Sequence, residues 1–96
     1  MSSIAKERQH RVRKNARHIA VTHEGEPYIA PAAAAEILYS RADLPILDVD
    51  RRVRLGVREG RVRALRYLPR LWLYHRGDVL AEAERLAEAF PLDDEG

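Results

Sequence analysis

The chain has 96 residues, the length of one small globular domain, which excludes a two-domain enzyme, a closed α/β barrel and a complete dinucleotide-binding fold. It contains no cysteine, which excludes disulfides, thiol catalysis and cysteine-based zinc sites and fits a reducing compartment. Its hydrophobic fraction of 46% and charged fraction of 33% are typical of a folded soluble domain, and we expect a cytoplasmic protein.

The net charge of +2 hides two basic segments in a chain that is otherwise acidic on balance. Residues 1–18 carry six basic residues against one acid, and residues 50–76 carry nine arginines against two acids. Nine arginines in 27 residues repel one another unless a polyanion neutralises them. The guanidinium group also suits phosphate and guanine edges. The second segment therefore predicts a polyanionic partner.

The first predicted elements are a basic arm, a short strand and a helix. Residues 1–17 are polar and basic without an apolar period, which predicts a flexible arm. Residues 18–22 alternate weakly before a turn at residues 24–27, so a strand or hairpin ends near Ile29. Pro31 followed by four alanines predicts a helix that ends near Tyr39.

Residues 41–48 are predicted as a loop or short turn, because Pro45 cannot occupy a helix interior. Three apolar side chains are expected to anchor this segment: Leu44, Ile46 and Leu47. Asp50 is the predicted N-cap of a second helix, which runs from Arg51 to about Glu59 and ends at Gly60.

The second helix is followed by a predicted β-hairpin. Residues 62–68 and 71–75 are rich in β-forming side chains, and Pro69-Arg70 joins them as a tight turn. Alternation places Trp72 and Tyr74 on one face, where we expect core residues, and Leu71 and Leu73 on the other.

A third helix begins near Asp78, which suits the positive end of the helix dipole. Apolar residues at helical spacing form one stripe along it: Val79, Leu80, Ala83, Leu86, Ala87 and Phe90. His75 and Asp78 are expected to form a hydrogen-bonded cap at the strand–helix junction. The domain is predicted to span residues 18–90, followed by an acidic tail, residues 91–96. The fold class is α+β and mainly helical, in the order helix, helix, hairpin, helix.

Three segments together resemble the excisionase-like winged-helix family, small relatives of the MerR DNA-binding domain. Residues 28–38 resemble its opening strand end and first helix, residues 53–62 its recognition helix and terminating glycine, and residues 69–79 its wing and last helix. The chain departs from the family in the insert around Pro45, in Gly56 where a large apolar residue is usual, and in Pro69 at the wing tip. Leu71 and Leu73 also place apolar groups on a wing face that is normally polar.

The resemblance implies a winged helix-turn-helix that binds double-stranded DNA, with the recognition helix in the major groove. On this reading Arg51, Arg52 and Arg54 read base edges and Arg58 reaches phosphate. The wing contributes Arg70 to the minor groove or backbone, supported by Arg63 and Arg66. The arm adds affinity without sequence information through five phosphate contacts: Arg8, Arg11, Arg13, Lys14 and Arg17.

Two functions within this class stay open, an architectural recombination factor acting with an integrase and a small transcription regulator, either of them associated with the nucleoid. Side-by-side association on DNA is expected to use Leu71 and Leu73. The alternative is a protein-interaction module, such as an antitoxin-like or assembly subunit. We expect no enzyme, no cofactor and no metal site, because no nucleophile–base pair, phosphate loop or ligand spacing is present in the sequence.

Overall fold

The computed structural model describes residues 19–92, which form a small α+β domain of three helices and a four-stranded antiparallel sheet. The arm, with its five predicted phosphate contacts, and residues 93–96 of the acidic tail lie outside the described residues. In chain order the elements are β1 (Ala20–His23), β2 (Glu26–Ile29), α1 (Pro31–Arg41), α2 (Ile46–Arg58), β3 (Ala64–Leu68), β4 (Leu71–His75) and α3 (Arg76–Ala89).

The sheet joins two hairpins in the order β1-β2-β4-β3. The first hairpin turns at Glu24 and Gly25, both of which have positive φ, as a tight turn requires. The second hairpin turns at Pro69 and Arg70, as the sequence predicts, and has an irregular register between Arg66 and Leu68. Pairing of Tyr28 with His75 and of Ile29 with Tyr74 holds the two hairpins together.

The helices cover one face of the sheet. α1 packs against both α2 and α3, and α3 also contacts β2 and β4. Ile29 and Tyr74 from the sheet join a buried cluster with residues from all three helices, including Leu38, Val53 and Val79. This cluster is the main core of the domain.

The opposite face of the sheet holds a second, smaller apolar cluster. Leu73 is fully buried there with Tyr28 and Ala30, and Leu65 and Leu71 pack beside them. The expectation that Leu71 and Leu73 form an exposed contact for a neighbouring protomer is therefore wrong for Leu73. A side chain without solvent exposure cannot form a surface between copies.

α2 begins five residues earlier than the sequence indicates, at Ile46 instead of Arg51. Pro45 is the residue before its first turn, and Asp50 lies inside the helix rather than at its N-cap. The early start turns Val49 into the core, where its side chain is 1% exposed. Of the three predicted anchors only Leu44 is buried, because Ile46 and Leu47 lie on the exposed first turn.

α3 begins at Arg76, directly after β4. The predicted cap at its start is confirmed, because Nδ1 of His75 accepts a hydrogen bond from the Asp78 backbone N–H at 3.0 Å. Val79, Ala83 and Leu86 of the predicted stripe are buried, and Glu82, which was not predicted to be buried, is 3% exposed.

Candidate nucleic-acid interface

α2 presents a row of cationic side chains to solvent. Arg51, Arg54 and Arg58 are three and four residues apart, which places them on one side of a helix, and all three are exposed. Val49, Val53 and Gly56 on the opposite side are buried. The buried side fixes the rotation of α2 about its axis and therefore fixes where the row points.

The row borders a groove of about 790 Å³ between α2 and the β3–β4 hairpin. The groove is lined by Arg51, Arg54, Leu55, Val57, Arg58, Ala64, Trp72 and Tyr74. Ala64 pairs with Tyr74 in the sheet, and Trp72 lies two residues before Tyr74, so the three share the face that looks toward α2. The groove thus has cations on its helical side and aromatic and aliphatic groups on its sheet side.

Trp72 was predicted to be a core residue, and this is wrong. Its side chain is 46% exposed, whereas Tyr74 on the same face is 7% exposed and belongs to the main core. The difference arises because Tyr74 lies at the base of the hairpin beside the helices, while Trp72 lies further toward the turn.

Asp50 is an acid close to the groove. One of its carboxylate oxygens lies 3.5 Å from Nη2 of Arg54, and both side chains are more than half exposed. Burial raises the pKa of Tyr74, the charge of Asp50 raises it further and the charge of Arg54 lowers it. Because Arg54 lines the groove together with Tyr74, its partner Asp50 brings a negative charge to the border of the groove.

Arg52 faces away from the groove. Its guanidinium carbon lies 5.1 Å from the centre of the Phe90 ring, at the end of α3. The side chain is half-buried, and its Nε is buried without a hydrogen-bond partner among residues 19–92. The structure gives Arg52 a packing contact on the far flank of α2 from the arginine row.

Arg63, a predicted DNA contact, is held by carboxylates on the opposite face of the sheet. Its Nε donates to Asp78 at 2.9 Å and its Nη1 donates to Glu26 at 3.0 Å. Hydrogen bonding to Asp78 raises the pKa of Arg63, and the same bond lowers the pKa of Asp78. His75 joins this group through a 2.9 Å hydrogen bond between Nε2 and Glu26. These contacts tie β2, β4 and α3 together.

Arg66 and Arg70 lie at the end of the hairpin, and both are exposed. Arg66 pairs with Trp72 across the strands and so shares the groove-facing side of the sheet. Its Nη2 donates to the Pro69 carbonyl at 3.1 Å, which steadies the guanidinium beside the turn. The two side chains extend the cationic surface from α2 toward the hairpin tip.

The predicted site residues therefore separate into two sets. Five surround the groove or the hairpin tip: Arg51, Arg54, Arg58, Arg66 and Arg70. Arg52 and Arg63 are engaged elsewhere in the fold. Sequence reasoning missed the groove itself. The sequence signal for it is a tryptophan in a strand close to arginines, but the exposure of Trp72 is known only from the structure.

Within residues 19–92 no group of three or more histidine or carboxylate side chains is arranged to hold a metal ion. No helix in the same range is both long enough and apolar enough to cross a bilayer. The chain matches no protein-family model, no curated protein and no solved structure.

Proposed function

We propose that this protein binds double-stranded DNA as a winged helix-turn-helix, with α2 as the recognition helix and the β3–β4 hairpin as the wing. The observation that carries the proposal is the row of Arg51, Arg54 and Arg58 on the exposed side of α2, beside a groove that faces the hairpin. α1 and α2 contact each other and are joined by only four residues, 42–45. A helix in the major groove places the residues of its N-terminal half nearest the base edges.

In this arrangement the protein groove between α2 and the β3–β4 hairpin receives a DNA strand. The part received is the sugar–phosphate backbone that separates the major groove of the duplex from its minor groove. Arg58, nearest the C-terminal end of α2, contacts phosphate, and Trp72 packs against the sugars. Arg51 and Arg54 reach base edges, where a bidentate contact with guanine discriminates by about 1–3 kcal/mol. Arg66 and Arg70 contact the backbone or minor groove at the hairpin tip.

We place the protein with small excisionase-like or MerR-related DNA-binding proteins, acting as a recombination factor beside an integrase or as a transcription regulator. The order of α1, α2, hairpin and α3 supports this placement. The short α3 supports it as well, because its 14 residues are few for the long dimerising helix of an effector-sensing regulator.

A first experiment selects preferred duplexes from a random library and measures their affinity by fluorescence anisotropy. Arg51→Gln should weaken binding of the selected duplex by about tenfold or more, because it removes a base-edge contact. Arg41→Gln is the matched control: it removes the same charge from a residue that pairs with Glu84 of α3. We expect its affinity to stay within about twofold of the unaltered protein. Equal losses in the two variants would contradict the proposal.

Salt dependence gives a second measure. If Arg58, Arg66 and Arg70 each neutralise one phosphate, log affinity should fall against log salt with a slope of about −2.7 from these residues alone. Arg58→Ala should make that slope shallower by about 1.

Removal of residues 1–17 should weaken binding to all duplexes alike. A change of preferred sequence on that removal would contradict the role assigned to the arm.

The apolar lining of the groove favours the rival function, a module that binds a protein segment. Leu55, Val57 and Trp72 would then hold apolar side chains of the partner. Selection that enriches no duplex sequence, together with a stoichiometric protein partner lost on Trp72→Ala, would favour this function over DNA binding.

A further inference from the structure

Leu47 is the most exposed large apolar side chain in residues 19–92, at 87%. It lies in the first turn of α2, four residues before Arg51, so it extends the arginine row toward the N-terminal end of the helix. It belongs to neither apolar cluster of the domain. A single exposed leucine is ordinary on a protein surface, but this one heads the row that we propose to face DNA.

The position of Leu47 limits what it can contact in a major groove. The N-terminal half of a recognition helix lies nearest the base edges. In the proposed function the arginine row that follows Leu47 turns this side of α2 toward the DNA. The thymine 5-methyl is the apolar group that a base pair presents in the major groove. A leucine side chain cannot hydrogen-bond a base edge, so its complement on the duplex is this methyl group.

The spacing along α2 indicates where the thymine lies. Four residues of α-helix span about 6 Å, and successive base pairs are about 3.4 Å apart. Leu47 therefore lies one or two base pairs from the base that Arg51 contacts. Ile46, its exposed neighbour, projects about 100° around the helix and lies off the row.

We propose that Leu47 is a specificity-determining residue that packs against a thymine methyl one or two base pairs from a guanine read by Arg51. This inference rests on the proposed function. It predicts a preferred site in which thymine and guanine are adjacent or separated by one base pair.

The test uses the full chain and the duplex enriched by selection. Each thymine is replaced singly by deoxyuridine, which keeps base pairing and removes only the methyl group. At one thymine this should weaken binding about fourfold, the loss expected for uncovering one methyl group. Leu47→Ala should bind the thymine and deoxyuridine duplexes equally, whereas Leu47→Met and Ile46→Ala should retain the discrimination.

The outcomes separate the inference from the function on which it rests. If a duplex is enriched and Arg51→Gln weakens it, but every deoxyuridine duplex binds as well as its thymine counterpart, the inference is wrong and the function stands. Discrimination that persists in Leu47→Ala would also overturn the inference. If no duplex is enriched, the proposed function and the inference about Leu47 are both contradicted at the selection step.

Discussion

Glu82 is a buried carboxylate on the core side of α3, and two arginines neutralise it. Nε and Nη2 of Arg61 donate to its two oxygens at 2.9 and 3.0 Å, and Arg85 donates at 3.1 and 2.7 Å. Burial raises the pKa of Glu82, but the hydrogen bonds from Arg85 and Arg61 outweigh it and lower the pKa to about 2. Arg61 follows α2 in the chain, so the cluster fastens the end of α2 to α3.

We expect acid to weaken the domain through Glu82. A carboxyl whose pKa is lower in the folded state stabilises the fold above its unfolded value of about 4.5, and the contribution disappears as pH falls toward 2. Lowering of the Glu82 pKa from 4.5 to about 2 corresponds to about 3 kcal/mol in the free energy of unfolding at neutral pH. Glu82→Gln should therefore have a lower free energy of unfolding than the unaltered protein at pH 7, as measured by urea denaturation. The difference between the two free energies should disappear between pH 5 and 2.

Glu84→Gln is the matched control for this experiment. Glu84 lies on the same helix, but its side chain is 64% exposed where it pairs with Arg41. Loss of such a surface pair changes the free energy of unfolding by less than about 1 kcal/mol. A gap between the unaltered protein and Glu82→Gln that stays constant from pH 5 to 2 would contradict the assignment.

Gly56 is required by close packing inside α2. A Cβ at this position would lie 2.9 Å from Cγ2 of Val62, which is buried and has a short, stiff side chain. In this chain the segment after α2 returns across the helix and occupies that space.

Gly56→Ala should destabilise the domain by about 1–2 kcal/mol, because the packing conflict exceeds the gain in helix propensity. The free energy of unfolding from urea denaturation measures this change. Val62→Ala removes the conflicting methyl groups, so the double variant should lose less than the sum of the two single changes. Strict additivity, or a stabilised Gly56→Ala variant, would show that the contact with Val62 does not set the identity of residue 56.

At the scale of elements, sequence patterns predicted the type and order of the structure well and its boundaries less well. The proline and alanine run of α1, the turn at Gly25, the end of α2 before Gly60 and the turn at Pro69 and Arg70 each depend on local chemistry. The start of α2 depends on the core instead. The capping preference of Asp50 favours a late start, but burial of Val49 requires helix from Ile46 onward.

This boundary has a testable consequence at Asp50. If Asp50 were an N-cap, Asp50→Asn would still cap the helix, whereas Asp50→Ala would cost about 1 kcal/mol. Because Asp50 lies inside α2, we expect Asp50→Ala to change the free energy of unfolding by less than about 0.5 kcal/mol. It should also tighten DNA binding about two- to threefold at low salt, because it removes a negative charge beside the groove.

Asp43→Ala serves as the control for the charge change. Asp43 lies between α1 and α2, and its backbone N–H bonds to the Phe90 carbonyl at the end of α3, away from the groove. Its effect on affinity should be smaller than that of Asp50→Ala. A loss of DNA affinity in Asp50→Ala would contradict the placement of Asp50 at the border of the interface.

At the scale of the whole molecule, the exposed charges of α2 are mainly cationic and those of α3 are mixed. α2 exposes Arg51, Arg54 and Arg58 with one acid, Asp50, while α3 exposes both arginines and glutamates: Arg76, Arg85, Glu84 and Glu88. The sequence revealed the concentration of arginines in residues 50–76 but not their division between groove, core and sheet. Arg61 and Arg63 look equivalent to Arg58 in sequence, yet each is held by a carboxylate distant in the chain. Pairing over such separations depends on tertiary structure, and local patterns do not encode it.

The same limit explains why the groove was not predicted. Alternation along β4 correctly places Trp72 and Tyr74 on one face, but it does not tell how far along the strand the helices extend. Tyr74 lies in the part of β4 that the helices cover. Trp72 lies in the part that they do not cover and is exposed beside the arginine row.

Trp72 is the single tryptophan of the chain, so its fluorescence reports directly on the groove. Acrylamide quenching of Trp72 is measured as a selected duplex is titrated, with binding followed independently by anisotropy of a labelled strand. We expect quenching to fall as the duplex saturates the protein and to recover when added salt releases it. Saturated binding with Trp72 as accessible to acrylamide as in the free protein would contradict the claim that DNA occupies the groove between α2 and the β3–β4 hairpin.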